Sequence, residues 1–360
     1  MSTTFKQLQP HETSGYLYGR VDNPTRGVLE EVLANLDGGK HAMCFASGLG
    51  AITSVISMMN VGDHLLSTDD LYGGTNKFFL KVAKRMMGIE VDFVDATDPE
   101  NVRKGIKKNT KIVYIESPTN PLMKVIDIQA VSCIAHQHPN IIVVVDNTFL
   151  SSYLQRPIEL GADMVLYSLT KYMNGHTDVT MGAVVTTSDE LHTKLRDLQI
   201  GMGIVPSPFD CSQVLRSLKT LSMRMEKHFK SGIAVGKFLE EHKKVEKVLH
   251  PALPSHPQHE VALRQCYGHS GMVSFYIKGD VENSKKFLSG LKLFTIAVSL
   301  GGYESLAEIP AMMTHANVSP EQRAQLGITD TLIRLSVGLE DIFDIIQDLD
   351  QALQLAFDNS

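Results

Sequence analysis

Residues 141–146 read Ile-Ile-Val-Val-Val-Asp, an unbroken apolar run that ends in a carboxylate. A strand with one face in water alternates apolar and polar residues. A run without alternation has both faces covered, as in a parallel sheet flanked by helices. Comparable short runs stand at His41–Ala46, His64–Ser67, Val91–Asp95, Lys111–Glu116, Met164–Tyr167 and Ala183–Thr186, and helix-like stretches separate them. Asn23-Pro24-Thr25 places a capping side chain before a proline suited to a first helical position. Residues 23–222 are therefore expected to form an α/β domain around a mostly parallel sheet. From about Met223 the texture changes to long charged helical stretches, the loop PALPSHPQHE, a strand-like MVSFYIKG and a last helix after Asp341. This predicts a smaller α+β domain over 223–360.

A chain of 360 residues with 43% hydrophobic content can bury a large core without disulfides. The formal net charge of −6 argues against nucleic acid as a partner, because phosphate binding needs a basic face. The first residues, MSTTFKQLQP, hold no apolar signal core, and the longest apolar run, Ile141–Val145, is far too short to span a bilayer. The four cysteines, Cys44, Cys133, Cys211 and Cys266, form no Cys-x-x-Cys pair and read as reduced, buried thiols. A cytoplasmic enzyme with no membrane partner and no metal site is expected.

In open α/β sheets ligands gather beyond the carboxyl ends of the strands. Four of the expected strands end there in polar sequence. Phe45-Ala46-Ser47-Gly48-Leu49 runs into a helix start, whose free N–H groups suit an anion. Glu116-Ser-Pro-Thr-Asn120-Pro closes the next. Asp146 closes the apolar run and, desolvated there, needs a cationic partner. Lys171 follows Ser168 and Thr170. A lysine among apolar strands loses solvation, so its amine pKa falls and it becomes nucleophilic. Taken singly, these are equally a turn, a tight loop, a structural salt bridge and a surface lysine. Together they compose a site for pyridoxal 5'-phosphate (PLP): a phosphate cradle, an acid for the pyridine nitrogen, and a lysine flanked by hydroxyls.

The chain resembles the Cys/Met-metabolism family of PLP enzymes throughout. The matching stretches include NPTR at Asn23–Arg26, FASGL at Phe45–Leu49, DDLYGGTN at Asp69–Asn76, ESPTNP, VVDNTF, YSLTKYMNGHTDV, SLGGYESL at Ser299–Leu306 and TLIRLSVGLED at Thr331–Asp341. The resemblance implies an aspartate-aminotransferase-like (type I PLP) fold, with PLP anchored covalently on Lys171 and its pyridine nitrogen held by Asp146. It implies that Tyr72 lies over the ring and moves protons. Ser47, Gly48, Leu49, Ser168 and Thr170 would take the phosphate. Asn120 and Arg334 would hold the substrate carboxylate, with Ser299 near the lysine. Tyr18 and Arg20 match a phosphate clamp donated by the neighbouring subunit, which needs at least a dimer, and the resemblance implies a homotetramer built as a dimer of dimers. Residues 1–22 match the end of a longer family arm.

The implied activity is cleavage of L-cystathionine to L-cysteine, 2-oxobutanoate and ammonia, with release of hydrogen sulfide from cysteine as a side reaction. Gamma-cleavage of methionine, or a gamma-synthase reaction that joins a homoserine ester to cysteine, is the alternative. Two departures bear on that choice. The clamp reads Tyr18-Gly19-Arg20, where serine is common in the middle. Leu17 and Val298 are apolar where animal gamma-lyases of the family carry glutamates.

Overall fold

The computed structural model describes residues 1–10, 12–13 and 15–358. The first long helix, α1 (Pro24–Leu36), starts where Asn23 Oδ1 accepts the N–H groups of Thr25 and Arg26. Then follow β1 (His41–Phe45), α2 (Gly48–Ile56), β2 (His64–Thr68), β3 (Glu90–Val94), β4 (Thr110–Glu116), β5 (Ile142–Asp146), β6 (Met164–Ser168) and β7 (Gly182–Thr186). All seven strands lie on the apolar runs, and they form one sheet in the order β1-β7-β6-β5-β4-β2-β3.

The reason for the unbroken runs is visible in the packing. Val143 and Val145 point into one core with Val113, Ile115 and Val131, while Val144 points to the other face with Tyr114, Leu166 and Val184. Both faces are dry, so neither parity of the strand tolerates a polar residue. From β3 to β6 every neighbouring pair is parallel. Only β7 runs against its neighbours β1 and β6. The 169–181 connection before it carries turns and no crossover helix, and parallel return needs such a crossover.

After α3 (Asp189–Met202), the long helix α4 (Leu221–Glu241) leads to a second sheet. It comprises β8 (Val245–Leu249), β9 (Met272–Ile277), β10 (Thr295–Ile296), β11 (Leu306–Glu308) and β12 (Leu332–Ser336) in the order β8-β9-β12-β11-β10. Its core joins Met225, Val235 and Leu239 of α4 to Phe275, Leu335 and the closing helix α5 (Ile342–Leu355). Among the described residues no helix is long and apolar enough to cross a membrane.

All four cysteines are free, but the expectation that all are buried is corrected. Cys44 and Cys211 are buried, Cys266 is partly so, and Cys133 is exposed. In its helix Ile128, Val131, Ile134 and Ala135 face the core, which turns position 133 outward.

Gly182 is the point where the sheet shapes the site. It pairs with Phe45 on one side and with Ser168 on the other, so it lies between the two segments expected to hold phosphate. A Cβ there would stand 2.3 Å from the Ser47 carbonyl oxygen and 2.8 Å from Gly48 Cα. Gly182→Ala must therefore displace the strand-to-helix turn. Overpacking of this kind costs about 1–3 kcal/mol. A lowered urea midpoint together with weaker cofactor retention is the expected result, and an unchanged midpoint would show that the turn yields freely.

Candidate active site

A cavity of ≈ 290 Å³ opens at the carboxyl edge of the large sheet. Parallel strands bring Glu116, Asp146 and Ser168 to this edge, and β12 of the second sheet brings Arg334 to it from the other side.

At one end stands the start of α2. Ser47 has extended backbone (φ −163°, ψ 165°), and its Oγ accepts the Gly50 N–H at 2.9 Å. The N–H groups of Gly48 and Leu49, first in the helix, have no intrahelical acceptor and face the anion-favouring end of the dipole. Ser168 packs against Gly48 so closely that a Cβ on Gly48 would lie 3.0 Å from the Ser168 Cβ. The Thr170 hydroxyl accepts the Met181 N–H at 3.0 Å and lies 3.3 Å from its carbonyl oxygen.

In the middle are two carboxyl groups. Asp146 is 8% exposed; it accepts the Thr148 N–H at 3.0 Å and the Tyr114 hydroxyl at 3.1 Å. Its register partner across the parallel pair is Glu116, which accepts the Tyr72 N–H at 3.1 Å. Burial raises the pKa of both, and for Glu116 the charge of Asp146 adds to it. Neither has an ion-pair partner among the described residues. Two desolvated carboxyls at this edge, neither ion-paired among the described residues, suit a ligand that brings a protonated nitrogen.

At the other end Lys171 Nζ donates to Ser299 Oγ at 2.8 Å. Burial and then the Arg334 charge bring the lysine pKa down to about 8, with Glu308 opposing. Ser299 carries a φ of +104°, rare for a residue with a side chain, and is held at both ends. Its hydroxyl meets the lysine and its carbonyl accepts Arg334 Nη2 at 2.8 Å. Arg334 Nη1 reaches Asn120 Oδ1 and the buried Glu308 carboxylate, each at 2.8 Å. Tyr72 and Val298 line the cavity from its exposed side, 43% and 58% exposed.

The expected residues Ser47, Gly48, Leu49, Tyr72, Asn120, Asp146, Ser168, Thr170, Lys171, Val298, Ser299 and Arg334 thus line one cavity. Leu17, Tyr18 and Arg20 do not line it in their own chain. Leu17 and Tyr18 are exposed on the surface, and Arg20 donates to the Ile200 carbonyl at the end of α3. Several groups of the site carried no role in the sequence reading. Thr148 was detectable, since a side chain two residues after an aspartate often meets it in a turn. Glu116 becomes a partner of Asp146 only through strand register, and nothing local marks Glu308 as the counterion of Arg334.

An amine at about 8 is half uncharged about two and a half pH units below an ordinary lysine. Because the folded-state pKa is lowered, the reactive neutral form gains population as pH rises through 8. The rate at which cofactor-free protein takes up PLP should therefore rise with a midpoint near 8. A midpoint above 10 would mean that Lys171 is solvated.

The profile of the Cys/Met metabolism PLP-dependent enzymes matches residues 1–354. Cystathionine gamma-lyase of Rattus norvegicus is 55% identical over 99% of this chain and 89% of its own length. Putative cystathionine gamma-lyase 2 of Caenorhabditis elegans is 56% identical over 99% and 91%. Among solved structures, cystathionine gamma-lyase from Lactobacillus plantarum complexed with L-serine superposes with a TM-score of 0.96 at 38% identity, covering 99% of this chain and 92% of that one. Cystathionine gamma synthase from Xanthomonas oryzae pv. oryzae in complex with cystathionine also gives 0.96, at 41% identity and the same coverage. An α/β chain of this fold, matched over nearly its whole length, belongs to the Cys/Met-metabolism family of PLP-dependent enzymes.

Proposed function

We propose that this enzyme is a carbon–sulfur lyase that cleaves L-cystathionine, with one water, to L-cysteine, 2-oxobutanoate and ammonia. The observation that carries the reading is the opposition, across one cavity, of a desolvated Lys171 and a cation-seeking Asp146, with Arg334 and Asn120 beside them. Relatives named cystathionine gamma-lyase, at 55% identity, favour this reaction over a gamma-synthase activity.

When bound here, PLP supplies an electron sink for negative charge at the substrate's alpha carbon. Asp146 keeps a proton on the pyridine nitrogen. Gly48 and Leu49, with Ser47, Ser168 and Thr170, hold the phosphate at the start of α2. Arg334 and Asn120 bind the alpha carboxylate, and Glu308 aims the guanidinium from behind. Lys171 Nζ would anchor the cofactor and serve as the base for the alpha proton, with Ser299 keeping the amine in reach. Tyr72, on the open side, moves a proton to the departing sulfur.

In this reading 23–222 is the cofactor domain, 223–360 the smaller domain, and 1–22 an arm that carries Tyr18 and Arg20 to the phosphate of the neighbouring subunit. Exposure of Tyr18 and Arg20 outside their own cavity supports that placement. The assembly is a homotetramer in the cytoplasm, and hydrogen sulfide release from cysteine is its side reaction.

The test of function is product formation from cystathionine, methionine, cysteine, and O-succinylhomoserine plus cysteine. Cystathionine should give 2-oxobutanoate with the highest efficiency, and a higher one for methionine would reverse the assignment. Asp146→Asn should keep much of the cofactor and lose most of the turnover, because its main effect is on transition-state charge. Near-normal turnover would remove Asp146 from the mechanism.

Val298, and Leu17 in the arm, favour a looser substrate preference. Cystathionine ends in a second ammonium group, and a carboxylate nearby would contribute a charge-assisted contact of about 1.5–3 kcal/mol. Val298→Glu, alone and with Leu17→Glu, should move the cystathionine-to-methionine efficiency ratio by roughly 10- to 150-fold toward cystathionine. A flat ratio would exclude these positions from specificity.

A further inference from the structure

The NPTR segment begins α1, but its arginine faces away from the cavity and has no part in the chemistry above. Arg26 is 2% exposed, among the largest fully buried side chains of the described residues. Burying a guanidinium costs several kcal/mol unless its N–H groups and its charge are met. Its charge is met by Glu30, with Nε 3.7 Å from Oε1. Its fork points back along the chain: Nη1 donates to the Gly19 carbonyl at 3.0 Å and Nη2 to the Val21 carbonyl at 2.8 Å. Those two carbonyls bracket Arg20. The same turn is closed from inside, because the Tyr18 carbonyl accepts the N–H groups of Val21 and Asp22 at 2.9 and 3.0 Å.

We propose that Arg26 is a positioning residue for the clamp: its two-pronged grip on Gly19 and Val21 sets the direction in which Tyr18 and Arg20 are presented to the neighbouring subunit's phosphate. This rests on the reading that Tyr18 and Arg20 act in trans. A planar fork is suited to the task, since two parallel N–H groups orient two peptide groups at once, which a lysine ammonium does not. The base of the grip is firm. Glu30 also binds Arg196 Nη2 at 2.7 Å and accepts the Cys44 N–H of β1 at 2.9 Å. The strand so held runs directly into Ser47 and Gly48. One buried cluster therefore fixes both the subunit's own phosphate cradle and the clamp it exports.

The measurement is the PLP concentration at which half of the Lys171-bearing sites are fixed by borohydride, which reports binding and ignores turnover. Arg26→Lys homomers should need roughly tenfold more cofactor or above, as for displacement of a charge-assisted contact. Arg26→Lys subunits assembled with an excess of Lys171→Ala subunits have live sites clamped by an intact strap, and should regain the normal requirement. Wild-type subunits assembled with an excess of the Arg26→Lys, Lys171→Ala double variant have live sites clamped by a loosened strap, and should show the weakened one. The reverse pattern, or an unchanged homomer, overturns the proposal. Should Arg26→Lys not fold, Arg26→Gln, which leaves Glu30 to Arg196 and β1, is carried through the same mixtures. Mixing Arg20→Ala with Lys171→Ala subunits separates the two claims. Failure to regain cofactor binding there, with hybrids shown to form, sinks the shared site itself. Recovery there with normal Arg26→Lys homomers sinks only the role of Arg26.

Discussion

At the carboxyl edge of the large sheet, Glu116 and Asp146 lie side by side on neighbouring strands, both buried and neither ion-paired among the described residues. Burial raises the pKa of both carboxyls, and the charge of Asp146 raises that of Glu116 further. A cation is what makes the arrangement favourable, and the protonated pyridine of the family's cofactor is one. The remainder of the site follows from this demand. The strands must be parallel for their ends to meet, and covered on both faces for the carboxyls to be dry. The cavity must be large enough to admit the ring between them and Lys171.

The opposite wall carries the complementary charge. Arg334 is nearly inaccessible and would be costly alone, but Glu308 lies at 2.8 Å and is itself buried. The pair leaves the guanidinium available to Asn120 and the Ser299 carbonyl. Arg334 also lowers the amine of Lys171, while Glu308 partly counters it. The lysine is thus kept nucleophilic by burial and a nearby positive charge. The strained backbone of Ser299 is held by its contacts to both residues, which is the circumstance in which such strain persists.

A second theme is division of labour along the first helix. Asn23 caps α1, Arg26 reaches back to the turn that carries Tyr18 and Arg20, and Glu30 reaches forward to β1. One helix thereby links residues exposed at the surface to the strand that leads into Ser47 and the start of α2. This explains why a short polar segment outside the cavity is so heavily hydrogen-bonded.

The sequence by itself determined the parts whose physics is local. Unbroken apolar runs mark strands dry on both faces. Ser47-Gly48 before a helix, and Lys171 after Ser168 and Thr170, were legible as pieces that line one cavity. The tertiary structure decided what depends on neighbours distant in the chain. Glu116 pairs with Asp146 because β4 and β5 share a register. Glu308 meets Arg334 because β11 and β12 are antiparallel partners at those positions. β7 runs backward because the lysine segment returns without a crossover. Cys133 is exposed because of the face it occupies on its helix. Leu17, Tyr18 and Arg20 stand outside the cavity because the turn that bears them is tied to α1. Strand register, helix face and the direction of a buried guanidinium are set by packing between segments, and no window of adjacent residues carries them.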